Sequence, residues 1–199
     1  MRLFIAINLP PAERDRLARE AGALRAARLP VRWVSTDSLH LTLKFLGEVA
    51  DGRRGEVEAA IGETASGFPP FQVELRGLGA FPRMARPRVV WVGVQAPPEL
   101  ARLAGALDVA MARLGFPREE RPFSPHLTLG GAKRDARPRD FRRLAELAAG
   151  LDFSATIVAR TVDLMRSHLS SQAARYERLL AAPLAGATTG AGPGESVTG

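Results

Sequence analysis

A chain of 199 residues with 46% apolar content is long enough to bury one sizeable core, as one domain or two closely packed lobes of one, and no linker of Gly, Ser or Pro divides it into free-standing halves. With no Cys it has neither a disulfide framework nor a thiolate metal site, and its opening apolar run of about eight residues is too short to span a bilayer. The net charge of +7, from 28 Lys and Arg against 21 Asp and Glu, favours polyanionic partners, although an Arg-rich surface alone has the same sign.

Hydrophobic periodicity, taken in chain order, predicts a strand over 2–9 and a helix from Pro11 to Ala27 carrying Leu17, Ala21 and Leu24 on its apolar face. A strand at 39–46, a helix near 53–65, a long strand at 71–81 and a strand at 88–94 follow. The second half repeats the order, with a helix from Pro98 to Leu114, a strand at 125–131, a helix near 138–149 and strands at 154–168 and 174–181. The class is α+β, built on two sheets each with helices on its outer face. Residues 1–183 are expected to form a single domain, and the Gly, Ala, Thr and Ser segment over 184–199 a disordered tail.

The duplication is written most plainly in one tetrapeptide. His40-Leu41-Thr42-Leu43 returns as His126-Leu127-Thr128-Leu129 in a chain with three histidines. The offset, 126 − 40 = 86, also places Arg2 to Ile7 on Arg88 to Gly93 and Leu17 on Leu103. Such a repeat reads as one β-α-β unit written twice, with the histidines related by a pseudo-twofold axis.

Alternation along a strand puts His40, Thr42 and Lys44 on one face, and Leu41, Leu43 and Phe45 on the other. His126 and Thr128 are likewise opposed to Leu127 and Leu129. If the polar faces meet, one cleft holds two imidazoles and two hydroxyls. Two imidazoles suit general acid and general base work near neutral pH, and the hydroxyls can donate to phosphate oxygens. Histidines related by a twofold also straddle a phosphorus atom as in-line displacement requires. Neither motif offers the three ligands a catalytic zinc wants, so no metal and no cofactor is expected. His168 lacks both the following Thr and a repeat partner, and reads as an ordinary strand or surface residue.

With these residues in view, the chain resembles the two-histidine phosphoesterases with paired H-x-T-x motifs, and among them the RNA 2′,3′-cyclic phosphodiesterases first described as 2′-5′ RNA ligases. The stretches RLFIAINLP, VRWVSTDSLHLTLKFLGEV, FPRMARPRVVWVGV, RPFSPHLTLG and LMRSHLSSQAARYERL carry the resemblance over roughly residues 1–182. It implies a bilobal duplicated fold whose two antiparallel sheets face a central cleft with helices outside, and metal-independent hydrolysis of an RNA 2′,3′-cyclic phosphate to a 2′-phosphate, with a reversible 2′-5′ RNA ligase activity beside it. It also implies that His40 is the proton donor, His126 the proton acceptor, and Thr42 and Thr128 the phosphate-binding pair. Related enzymes carry an Arg where this chain has Gly131, and Lys133 or Arg134 is expected to supply that charge. Lys44 and Phe81 are further candidates for substrate binding, while Trp33 reads as core. The expected partner is RNA with a cyclic phosphate end, met by a cytoplasmic monomer with no membrane attachment. A non-catalytic RNA-binding module and a phosphodiesterase of small cyclic nucleotides are the alternatives.

Overall fold

The computed structural model describes residues 1–150, 153–169 and 174–186. Strand β1 (Arg2–Asn8) leads into helices α1 (Pro11–Glu20) and α2 (Gly22–Ala26), so the single helix expected over 11–27 is broken at Ala21. A short strand β2 (Val31–Trp33), not foreseen from the sequence, precedes β3 (His40–Glu48). Helix α3 (Arg54–Ser66) and strand β4 (Phe71–Phe81) close the first copy, and β5 (Val89–Gln95), α4 (Pro98–Arg113), β6 (His126–Ala132) and α5 (Leu144–Ala149) begin the second. The strand expected over 154–168 is two, β7 (Ser154–Ala159) and β8 (Thr161–Leu169), followed by β9 (Ala174–Pro183). The break at Arg160 is topological, because β7 pairs with β4 at one end of the sheet while β8 pairs with β1 in the other half.

The two expected sheets are halves of one antiparallel sheet. β9-β8-β1-β3 and β6-β5-β4-β7 join where Leu41 of β3 pairs with Leu127 of β6, and β2 adds to β6. The join lies inside the repeated tetrapeptide, so the pseudo-twofold passes between the two motifs. Leu41, Leu43, Leu127 and Leu129 are buried in the main core with Ile5, Ile7, Val92 and Leu103. The leucines of both motifs thus anchor the strands from below, leaving His and Thr on the opposite face.

Pairing corrects the repeat offset on the first strand of each copy. Ala6, Ile7 and Asn8 face Thr42, Leu41 and His40, whereas Trp91, Val92 and Gly93 face Thr128, Leu127 and His126. Trp91 therefore stands where Ala6 stands, an offset of 91 − 6 = 85. A one-residue slip exchanges the faces of a strand. The constant offset of 86 would have sent Trp91 to the core position of Ile5; in the structure Trp91 is half-buried on the histidine side, where its ring lies near Phe81 and His126.

The ordered chain continues past the expected domain end. Leu184 is buried and its N–H donates to Arg160 O at 2.8 Å, and Gly186 N–H donates to Phe68 O at 2.9 Å. The rest of the expected tail, 187–199, lies outside the described residues. Among the described residues no helix is long and apolar enough to cross a membrane.

Candidate active site

Each histidine opens its strand, and its ring is fixed by the backbone just before it. Nδ1 of His40 lies 2.7 Å from Ser38 O, and Nδ1 of His126 lies 2.8 Å from Ser124 O. A carbonyl only accepts, so Nδ1 carries a proton in both rings, and Nε2 is left to gain or lose one. The serine two residues ahead of each histidine is itself repeated in the sequence, as Ser-Leu-His and Ser-Pro-His.

Aromatic side chains set the ring planes. Tyr176 meets His40 edge-on at 5.0 Å and Phe4 packs on it at 4.8 Å; Phe81 meets His126 edge-on at 5.0 Å. Tyr176 comes from β9 and Phe81 from β4, which occupy non-equivalent places in the two halves, so the duplicated site acquired matching walls from different strands. Burial pushes the His40 imidazole below its ordinary value, with the Ser38 carbonyl opposing the shift in part. In the Tyr176 phenol burial acts upward, partly offset by the Arg2 charge, and holds it in the neutral form.

The structure brings together His40, His126, Thr42, Thr128 and Phe81. A cavity of about 190 Å³ holds His40, Thr42, Thr128 and Tyr176, and a second of about 320 Å³ holds Thr42 and His126, so Thr42 is shared between the histidine sides. Among the described residues no group of three His, Asp or Glu side chains converges on one point.

Lys44 lines the larger cavity as well, but its ammonium is held by Asp108 and the Pro117 carbonyl. A β-bulge at Leu43, between Lys44 facing Ile5 and Thr42 facing Ala6, turns the strand by one residue. Lys44 is swung to the helix side, 3% exposed, with Nζ 2.6 Å from Asp108 Oδ1 and 2.8 Å from Pro117 O. Phe45 takes the open face instead, 64% exposed. The second copy has the same bulge at Leu129, between Val90 facing Gly130 and Trp91 facing Thr128. No single-strand alternation rule anticipates such a turn; the signal available was its duplication.

Lys133 and Arg134 lie beyond the end of β6, in a separate concavity shared with Arg86, Arg88 and Pro82. That concavity includes neither histidine. His168 is on β8, exposed, with Nε2 2.8 Å from Glu177 Oε2 of β9. Trp33 packs against the core under the Arg25 guanidinium, 6.0 Å away. Phe4, Tyr176, Phe45 and Trp91 are the site residues that sequence reasoning missed.

The sequence model of the LigT-like phosphoesterases matches the chain twice, over residues 7–91 and 92–176, so each match holds one of the two His-Thr motifs. An RNA 2′,3′-cyclic phosphodiesterase of Methanothermobacter thermautotrophicus is 38% identical over 151 residues, covering 76% of this chain and 80% of that protein. A crystal structure from Thermus thermophilus superposes with a TM-score of 0.79 at 30% identity, covering 94% of this chain and 99% of that one. Escherichia coli LigT complexed with 3′-AMP gives a TM-score of 0.71 at 30% identity, over 92% and 97%. Two family matches on two structural copies, each with its own His and Thr, place the chain in the LigT-like phosphoesterase family.

Proposed function

We infer that the chain is an RNA 2′,3′-cyclic phosphodiesterase that hydrolyses the cyclic end to a 2′-phosphate. The observation that carries this reading is the pairing of two imidazoles, each with Nδ1 against a backbone carbonyl and, among the described residues, no partner on Nε2, around Thr42, which lines a cavity with each of them. Two relatives of similar length at 38% identity are RNA 2′,3′-cyclic phosphodiesterases, which supports it.

The chemistry follows from the two Nε2 atoms. His126 takes a proton from water as the oxygen attacks phosphorus. His40, protonated, gives its Nε2 proton to the 3′ oxygen as that P–O bond breaks. Thr42 and Thr128 donate to the non-bridging oxygens, whose charge builds in the transition state. The bound phosphate lies beside a partly buried imidazole, and its negative charge raises the His40 pKa toward the protonated form the step needs. The basic concavity of Arg86, Arg88, Lys133 and Arg134 fits RNA backbone phosphates away from the reacting centre.

The test is product analysis on a short RNA ending in a 2′,3′-cyclic phosphate, with EDTA present. The expected product is the 2′-phosphate, formed at an undiminished rate. A 3′-phosphate product would overturn the assignment of the leaving oxygen, and activity restored only by a divalent ion would overturn the acid–base reading.

A further inference from the structure

The two halves differ in what adjoins the aromatic wall of each histidine. Tyr176, which meets His40 edge-on, lines the His40 cavity and also a larger one of about 490 Å³ that does not include the histidine. Asn8 at the end of β1, Arg14 of α1, Arg160 between β7 and β8, Asp163 of β8, and Arg178 of β9 line this second cavity. Asn8 faces His40 across the strands, whereas Gly93 faces His126, so only this half has a side chain at that place. None of these charges serves the two-histidine chemistry.

Asp163 organises them. It pairs with Ala6, which pairs with Thr42, so its side chain stands on the cleft face of the sheet. It is 0% exposed; Oδ2 accepts from Asn8 Nδ2 at 2.5 Å, and Oδ1 has no hydrogen-bond partner among the described residues. A buried carboxylate calls for a cation, and Arg178 supplies it, with Nη1 3.9 Å from Oδ2. A guanidinium held by a carboxylate on one edge keeps N–H donors on the others. Arg160 is exposed and makes no ion pair among the described residues. Arg14 donates from Nη1 to Asp37 O at 3.2 Å, and its Nε is buried without a partner. Guanidinium donors left unspent on one wall suit a phosphodiester.

Reaction geometry says which phosphodiester. In-line displacement puts the leaving 3′ oxygen on the His40 side of phosphorus and water on the His126 side. That oxygen is borne by C3′, next to C4′ and C5′, so the RNA chain runs away from phosphorus on the His40 side. The first charged group along it is the phosphodiester on O5′ of the terminal nucleotide. The concavity of Arg86, Arg88, Lys133 and Arg134 begins at Pro82, next to Phe81 and so beside His126, on the other side.

We propose that Arg14, Arg160 and Arg178 form a site for the phosphodiester on O5′ of the terminal nucleotide, which makes the end of an RNA chain a better substrate than a free 2′,3′-cyclic mononucleotide. This deepens the reading above and rests on its assignment of His40 to the leaving oxygen. Asp163 is the counter-ion of Arg178 in this site.

The experiment compares kcat/KM for adenosine 2′,3′-cyclic phosphate with that for the same molecule carrying a methyl phosphate ester on O5′, which adds the charge of the next phosphodiester without the rest of the chain. In the wild type the ester is expected to be favoured by about tenfold or more, the effect of one or two charge-assisted hydrogen bonds. Arg160 and Arg178 are exposed, so replacing both by Gln leaves the core intact. In Arg160→Gln with Arg178→Gln the preference is expected to fall to within about twofold of one. Each ratio is taken within one protein, so a general loss of active enzyme cancels. A ratio near one in the wild type overturns the site, as does a ratio that survives the double substitution. A preference that falls instead in Arg88→Gln with Lys133→Gln puts the chain on the His126 side and overturns it as well. A wild type that hydrolyses neither compound and no cyclic RNA end sinks the proposed function together with the site, whereas one that hydrolyses both compounds equally sinks the phosphodiester site alone.

Discussion

The Lys44 ammonium sits 2.6 Å from the Asp108 carboxylate, both nearly out of solvent, and joins the strand after the first motif to the segment that leads into the second. Burial alone would raise the Asp108 pKa, but hydrogen bonds from Lys44, Glu119 N–H and Arg118 outweigh it and hold the carboxyl below its ordinary 3.8. Removing one partner of such a pair leaves an uncompensated buried charge, at about 3–5 kcal/mol. Asp108→Ala is therefore expected to lose stability of that order in denaturant unfolding, and Lys44→Met with Asp108→Leu to recover most of it. A folded pKa below the unfolded one means the stabilising contribution is complete above the ordinary carboxylate range and is lost as pH falls through the folded value. Acid unfolding profiles should flatten in the double variant relative to the wild type.

A second prediction concerns the pH–rate profile. Burial lowers the His40 pKa in the free protein, so the proton it must donate is lost at a lower pH than an ordinary imidazole would lose it. The alkaline limb of kcat/KM, which reports the free enzyme, is expected below the alkaline limb of kcat, which reports the complex with its anionic phosphate. Phe4→Ala opens the wall 4.8 Å from the ring and should move the kcat/KM limb upward. A limb indifferent to Phe4 that instead follows substitution at His126 would exchange the two roles.

The histidines, the threonines and the order of strands were legible because they follow from period-2 alternation and from a repeat visible by eye. What alternation could not supply was the bulge at Leu43 and again at Leu129: an extra residue reverses every later face assignment, and so Lys44 was placed on the cleft face that Phe45 occupies. β2 escaped notice for a related reason. Three residues carry too little periodicity to register, and Val31 to Trp33 is a strand because the β6 edge is there to receive it. Tyr176 could not be reached from the motifs either. It arrives beside His40 through β9, more than a hundred residues later in the chain, by sheet topology alone.

The third prediction uses the asymmetry between Lys44 and Gly130. A Cβ on Gly130 would stand 2.6 Å from Val31 Cγ1 and 2.8 Å from Arg32 O, so only glycine lets β2 pair there. Gly130→Ala is expected to cost about 1–3 kcal/mol, the range for overpacking a close contact. For a chain of this size each kcal/mol lowers the thermal midpoint by about 2–4 °C. Gly130→Lys, which restores the repeat in sequence, should be worse than Gly130→Ala, because β2 fills the space that Lys44 enjoys in the other half. An unchanged midpoint for Gly130→Ala would mean β2 yields without cost.

The last prediction separates the histidines by the bond each serves. His40, as the donor to the leaving 3′ oxygen, matters less when the leaving group departs without a proton, as p-nitrophenolate does from a nucleoside 2′-phosphodiester. His126, which activates the nucleophile, is needed for either substrate. His40→Ala should therefore lose about 10²–10⁴-fold on the cyclic end, the usual contribution of a positioned acid or base, and far less on the activated ester. His126→Ala should be impaired on both. The Nδ1 bonds to Ser38 and Ser124 are alike, so ring anchoring gives no reason for the two variants to differ, and any difference between them reports the side of phosphorus on which each Nε2 acts. Recovery of His126→Ala on the activated ester, with His40→Ala still inactive, would reverse donor and acceptor while leaving the two-histidine mechanism standing.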